Sequence, residues 1–288
     1  SSSSSSSSKQ QSTIEEEEGQ AKYETAAQVA SYLDLHFGGA AALDGPAAAS
    51  AMPQLRDWLD FPQRCAGILA DLAPRKQRAL DLGCAVGGAV FALADTHGFE
   101  EVVGVDYSRT FVDAATRLAE GEAIPYERPG TAGATVPSVA RRPPAAHATT
   151  SSSVRFVVGD ACDEAALLDD TVVKGRTAFD AVLCANLLCR LARPDSLLDA
   201  LPKLVRDGGV VLFASPYSWF DDYTPDRAQW CRGPEDLIAR MADRGFVVAD
   251  TAAFPRDLPL LIRDHARKYQ LIFSNAIAFR KYEGGGET

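Results

Sequence analysis

Four stretches of this 288-residue sequence carry side chains able to hold a small polar ligand. The first, Asp81-Leu-Gly-Cys-Ala-Val-Gly87, joins an apolar run to a helical one. Gly83 and Gly87 let a backbone come close to a ligand, and the helix that follows offers N–H groups with no intrahelical partner. Cys84 and Ala85 lie between them, Ala85 where a strict Gly-x-Gly-x-x-Gly has its middle glycine. The second stretch, Val102-Val-Gly-Val-Asp106 with Tyr107 after it, sets an acid where it can accept from both hydroxyls of a ribose. The third, Gly159-Asp160-Ala161, presents a carboxylate to an amino group such as that of adenine, or to the N-terminus of a helix. The fourth, Cys184-Ala185-Asn186, ends an apolar run in a carboxamide that serves either a ligand or a turn. The glycine loop and Asp106 alone suit NAD as well as other nucleotides. Asp160 and Asn186 are superfluous to NAD binding.

These residues need a frame, and strand and helix patterns alternate around them. Strands are expected at Arg78–Leu82, Glu101–Val105, Val154–Val158, Phe179–Cys184, Gly209–Ala214 and Phe246–Ala249, with a last one over Gln270–Phe279. Helical patterns run over Gly88–Thr96, Arg109–Glu120, Leu197–Val205 and Glu235–Arg244. Two more, Tyr23–Phe37 and Pro53–Leu72, precede the first strand and are placed to cover the ligand. Such alternation gives an α/β fold, a mostly parallel sheet with helices on both faces. No convincing helix separates the final two strands, which points to an antiparallel last strand. Ligands of open parallel sheets sit at the C-terminal strand edges, where all four stretches end.

Residues 1–20, a serine run followed by Glu15-Glu-Glu-Glu18, read as a disordered leader or linker. Residues 21–283 form one domain, interrupted by a Pro/Thr/Ser-rich flexible insertion at 122–153, and 284–288 are a tail. The formal charge of -10 argues against nucleic acid as the main partner. No apolar run is long enough to cross a membrane, and the N-terminus has no signal-peptide layout, so a cytoplasmic protein is expected. The six cysteines include no Cys-x-x-Cys pair, so no metal site is expected.

In Asp81-x-Gly83-x-x-x-Gly87, Asp106, Asp160-Ala161 and Asn186 the sequence resembles the class I, Rossmann-like methyltransferases. The resemblance implies a seven-stranded sheet with a reversed final hairpin and S-adenosylmethionine as cofactor. It gives the Gly83–Gly87 loop to the methionine moiety, Asp106 to the ribose and Asp160 to the adenine. Over residues 23–282 the sequence is also similar to the C-terminal mercaptohistidine N-methyltransferase domain of ovothiol-biosynthesis enzymes. The matching stretches are Tyr23-Glu-Thr25, Phe61-Pro-Gln-Arg-Cys65, Asp81-Leu-Gly-Cys-Ala-Val-Gly87, Gly159-Asp-Ala-Cys162, Ala185-Asn-Leu187, Ser215-Pro-Tyr-Ser-Trp219, Tyr223-Thr-Pro225, Asp257-Leu-Pro259 and Ile262-Arg-Asp-His-Ala-Arg-Lys-Tyr-Gln270. That narrower resemblance implies methyl transfer to the imidazole ring of 5-thiohistidine, and a histidylcysteine sulfoxide synthase as a fused or associated partner.

Candidates for holding the acceptor follow from residue type. Tyr217 and Trp219 could wall an imidazole by stacking. Arg64 and Arg267 could grip a carboxylate. His265 could contact the thiol or the carboxylate, while Tyr23 and Glu24 could close the pocket, Glu24 toward an amino group. Ordinary packing or capping roles stand beside each of these. Three other functions remain open: methylation of a different small acceptor, an NAD(P)-dependent oxidoreductase, and an inactive binding module.

Overall fold

The computed structural model describes residues 22–39, 43, 55, 58–145, 152–175 and 178–282. The expected leader (1–20), the tail (284–288) and most of the first part of the expected second helix lie outside them. In chain order the strands are β1 (Arg78–Leu82), β2 (Glu101–Asp106), β3 (Ile124–Pro129), β4 (Thr135–Ala140), β5 (Ser153–Val158), β6 (Phe179–Ala185), β7 (Val205–Ser215), β8 (Phe246–Val248), β9 (Arg256–His265) and β10 (Lys268–Lys281). The helices are α1 (Ala26–Phe37), α2 (Phe61–Leu72), α3 (Gly88–Phe91, continued by a π-helical turn through Thr96), α4 (Arg109–Ala119), α5 (Glu164–Leu167), α6 (Asp170–Val173), α7 (Pro194–Leu204) and α8 (Pro234–Ala242).

β1, β2, β5, β6 and β7 pair in parallel, in the order β5-β2-β1-β6-β7, and β10 and β8 complete the sheet. The central strand β1 is buried along its whole length, with Leu80 opposite Val103 of β2 on one side and Val182 of β6 on the other. Strands covered on both faces read as continuous apolar runs, which is why Arg78–Leu82 and Phe179–Ala185 stand out in the sequence. β10 runs antiparallel to β7, with Asn275 opposite Ser215 and Arg280 opposite Val210. The reversed final strand is therefore present. The sheet has eight strands rather than seven, because β9 pairs with the first half of β10. Since Ser215 ends β7 and faces Asn275, the β9–β10 hairpin extends beyond the C-terminal edge of the parallel strands.

The insertion at 122–153, expected to be flexible, is regular structure in part. Its first part is an antiparallel hairpin, β3 paired with β4 from Ile124–Ala140 to Pro129–Thr135. Ile124, Tyr126 and Arg128 are buried and alternate with exposed Pro125, Glu127 and Pro129. That period of two is a strand signal, and prolines are tolerated on the outer positions of a two-stranded ribbon. The hairpin is pinned to α1 by a buried ion pair, Arg128 Nε to Asp34 Oδ1 at 2.5 Å, and Tyr126 donates its hydroxyl to the same oxygen at 2.9 Å. Arg263 of β9 donates to the Pro129 carbonyl. None of the helices among the described residues is long and apolar enough to cross a membrane.

Candidate active site

One cavity of about 620 Å³ opens over the C-terminal ends of β1, β2, β5 and β6. Asp81, Gly83, Cys84, Ala85, Asp106, Tyr107, Asp160, Ala161 and Asn186 all line it. Gly87 is set just behind this wall, at the start of α3. The loop works at close quarters. Gly83 has φ +72°, and a Cβ there would meet the Leu187 side chain at 2.9 Å. Gly87 has φ +88°, and a Cβ there would meet the Phe156 ring at 2.6 Å. Ala85 has φ +46°, a conformation that a residue with a Cβ adopts only when neighbours hold it. The holding group is Asp106, whose Oδ2 accepts the Ala85 N–H at 2.8 Å while Oδ1 accepts from Ser108 N at 2.9 Å.

The acids differ in their surroundings. Burial raises the Asp106 carboxyl to about 6, opposed by the backbone N–H bonds it accepts. Burial, and then the charge of Asp106, push Asp81 well above the usual carboxylate range. Asp81 is only 3% exposed and has no hydrogen-bond partner among the described residues. A buried carboxyl aimed into a cavity without a partner fits a ligand that brings a cation or donor. Asp160 bonds Cys162 N at 2.7 Å in a turn, while Asp163 caps α5. Asn186 has φ +55° and accepts at Oδ1 from the fully buried Ser274 hydroxyl at 2.7 Å.

The other end of the cavity is walled by α1, by the segments after β6 and β7, and by the β9–β10 hairpin. Tyr23, Tyr32, Arg190 and Tyr223 line it, with Leu260, Ile262, Asp264, Gln270 and Ile272. The Tyr23 hydroxyl reaches that of Tyr223 at 3.4 Å. Burial holds Tyr23 well above the ordinary phenol range and Tyr32 at about 12, so both remain protonated donors. His36 also faces the cavity. Its Nδ1 accepts the Gly88 N–H at 3.0 Å, and burial pushes its pKa down to about 3, so it stays neutral.

Most of the acceptor candidates named from the sequence are employed elsewhere. Of the seven, Tyr23 alone lies on the cavity wall. Glu24 caps α4 through Arg109 N at 2.9 Å and Thr110 N at 3.3 Å, where the helix dipole favours an acid. Arg64 donates to the carbonyls of Trp58 and Pro259. Tyr217 packs against the core with a buried hydroxyl that has no hydrogen-bond partner among the described residues. Trp219 stacks on Trp230 at 6.0 Å and donates to the Cys231 carbonyl at 2.7 Å. His265 ends β9 and Arg267 lies in the turn to β10, and His265 Nδ1 accepts the Arg267 N–H at 3.2 Å. The residues missed by type alone are Tyr32, His36, Arg190, Asp264 and Gln270. A signal existed for two of them, since Asp264 and Gln270 fall within the Ile262–Gln270 stretch.

The contact between His36 and the helix start is testable. A Cβ on Gly88 would stand 2.6 Å from His36 Nδ1 and 3.0 Å from its Cβ. Gly88→Ala is expected to displace α1 from the loop, lowering stability by about 1–3 kcal/mol as overpacked sites do. Thermal denaturation reads this as a fall in Tm, and an unchanged Tm would mean that α1 yields freely.

Strand order, glycine loop and acidic strand ends together define a Rossmann-like enzyme that binds a nucleoside-containing cofactor. The profile of the family described as a methyltransferase domain matches residues 51–250. The chain belongs to this family, and it is an S-adenosylmethionine-dependent methyltransferase. No curated protein matches it in sequence. Among solved structures it is similar to magnesium protoporphyrin IX methyltransferase from Synechocystis PCC 6803 with bound SAM (15% identity, 81% of this chain and 84% of that one, TM-score 0.44). It is also similar to the [4+2]-cyclase SpnF (14%, 79% and 83%, TM-score 0.49). A third similar structure is described for conversion of a disulfide bond into a thioacetal group during echinomycin biosynthesis (16%, 82% and 93%, TM-score 0.49).

Proposed function

We propose that this methyltransferase acts on the imidazole ring of 5-thiohistidine, transferring a methyl group to a ring nitrogen in ovothiol biosynthesis. The observation that carries the reading is where its specific stretches meet. Tyr23, Phe61, Asn186, Tyr223 and, from one stretch, Ile262, Asp264 and Gln270 come from five stretches that resemble the mercaptohistidine N-methyltransferases, and all line one cavity. Six cysteines, all buried and free, suit a reducing compartment such as the cytoplasm. The thiohistidine would come from a histidylcysteine sulfoxide synthase route, fused or associated.

In this reading the Gly83–Gly87 loop and Asp81 hold the methionine moiety of the cofactor, with the Asp81 carboxyl taking its ammonium. Asp106 takes the ribose hydroxyls, with Tyr107 beside it, and Asp160 takes the adenine amino group. S-adenosylmethionine supplies an electrophilic methyl carbon on a sulfonium. An imidazole has an ordinary pKa near about 6.5, so much of it carries a free nitrogen lone pair at pH 7. That nucleophile needs no strong base. The acceptor end matches this, because Tyr23 and Tyr32 stay protonated and His36 is committed to Gly88. The work left to the protein is alignment and exclusion of water. Asn186 is set for alignment: its Oδ1 is taken by Ser274, which leaves the carboxamide N–H groups to orient the ring.

Mass spectrometry of the purified protein with S-adenosylmethionine and candidate acceptors tests the proposal. Singly methylated thiohistidine, with the methyl on a ring nitrogen, is the expected product. Turnover of plain histidine or another acceptor, with thiohistidine untouched, would refute it.

A further inference from the structure

Arg190 ends the short turn Leu188–Arg190 that follows Asn186, and it faces the cavity. Its Nη1 donates to the carbonyls of Cys189 at 2.9 Å and Ser218 at 2.8 Å. Its guanidinium carbon lies 5.1 Å from the centre of the Tyr223 ring and 5.3 Å from that of Phe220. No carboxylate among the described residues pairs with it, whereas Arg193, three residues on, lies 3.8 Å from Asp160. Its Nε and Nη2 donors have no hydrogen-bond partner among the described residues. A guanidinium half-withdrawn from water against aromatic rings, with part of its donor fork unused by the protein, is suited to hold an anion. Two backbone carbonyls fix the plane of the fork, and planar forks match carboxylates bidentately.

The position favours the acceptor over the cofactor as the source of that carboxylate. The charge of Arg190 is felt at the hydroxyls of Tyr23 and Tyr32, on the wall formed by α1, and it counters the charge of Asp106 at Tyr32. The Asp81 and Gly83–Gly87 side of the cavity has its own polar groups for the cofactor.

We propose that Arg190 is the carboxylate anchor of the methyl acceptor, which restricts the acceptor to molecules carrying an acidic group beside the reacting ring, as an α-amino acid does. This rests on the reading of the cavity as a site for thiohistidine, and it replaces Arg64 and Arg267 in that role.

The test uses Arg190→Gln, with Arg190→Lys as the conservative variant, alongside the native protein. Arg190→Gln is expected to raise the KM for 5-thiohistidine roughly tenfold to a hundredfold, the loss of a charge-assisted bidentate contact. Arg190→Lys should recover part of it. The decarboxylated acceptor, 5-thiohistamine, should be used equally poorly by native and variant proteins. Affinity for S-adenosylhomocysteine should change by less than about twofold. An unchanged KM overturns the proposal, and so does an equal loss of S-adenosylhomocysteine affinity, which would give the guanidinium to the cofactor's own carboxylate. If thiohistidine is not turned over, calorimetry of the S-adenosylhomocysteine-saturated protein with L-histidine, imidazole-4-carboxylate and benzoate decides independently. Binding of these carboxylates that Arg190→Gln abolishes supports the anchor even though the thiohistidine reading has failed. Carboxylate binding that is absent, or indifferent to the substitution, overturns it. Should Arg190→Gln not fold, Arg190→Lys is read against the same criteria.

Discussion

Lowering the pH from 7 to 5 is expected to weaken S-adenosylhomocysteine binding about tenfold, and Asp106→Ala to weaken it by at least as much at pH 7. The Asp106 carboxyl is raised to about 6 in the free protein, first by burial. Ribose hydroxyls donate, so the ligand selects the ionised form. At pH 5 only about a tenth of that form remains, and the apparent dissociation constant rises in proportion. Asp81 adds to the effect in the same sense, since its raised carboxyl must ionise to take an ammonium. The sign for the ligand-free protein is the opposite. A folded pKa above the ordinary 3.8 favours the protonated fold, so this group's contribution to stability falls as pH rises from about 4 through 6 and stays lost above it. Binding should therefore take up base at low pH, which calorimetry in two buffers of different ionisation enthalpy reads as proton release. Asp106→Asn is not a mild substitution. Both carboxylate oxygens accept backbone N–H bonds, from Ala85 and Ser108, so an amide NH2 must face one of those donors. Its affinity should fall with that of Asp106→Ala. An affinity flat between pH 5 and 7 would remove both acids from the binding step.

The proposed cofactor end of the site is legible in the sequence because its parts lie at the C-terminal ends of the parallel strands. Asp81, Asp106 and Asn186 follow apolar runs whose pairing in parallel brings their C-terminal ends together without further information. The acceptor end is assembled differently. His36 meets Gly88 across 52 positions, and Arg64 meets Pro259 across 195. Neither contact leaves a mark in local pattern. Arg64 looked available for a carboxylate, but it is spent on two carbonyls, that of Trp58 nearby in sequence and that of Pro259 on the β9–β10 hairpin. That hairpin was itself partly readable. Leu260, Ile262 and Asp264 share one face of β9 by the period of two and face the cavity. His265 and Arg267 are candidates by their chemistry instead, and they fall at the last residue of β9 and in the turn after it. Tyr23-Glu24 divides similarly: the tyrosine faces the cavity, and the acid beside it turns away to cap α4.

Arg128→Met is expected to cost about 3–5 kcal/mol of stability, which in a chain of this size lowers Tm by roughly 10 °C. The guanidinium and the Asp34 carboxylate are each 6% exposed, and their contact at 2.5 Å joins the β3–β4 hairpin to α1. Removing the cation leaves Asp34 buried with Tyr126 as its remaining side-chain donor. An ion stranded in this way costs far more than the pair itself contributes. The double substitution Asp34→Leu with Arg128→Met should accordingly recover most of the loss, because an apolar pair of similar volume replaces the buried ions. Equal loss in the single and double variants would mean that the hairpin, rather than the stranded charge, sets the cost. The consequence reaches the acceptor end of the cavity. Pro129, next to Arg128, lines its wall and accepts from Arg263 of β9. α1, which brings Tyr32 and His36 to the cavity, is held at Asp34 by the same pair. The single variant, assayed below its lowered Tm, should thus raise the acceptor KM more than it weakens S-adenosylhomocysteine. In the proposed assignment the hairpin shapes the end where the methyl group is received, while the glycine loop and Asp106 hold the end from which it is given.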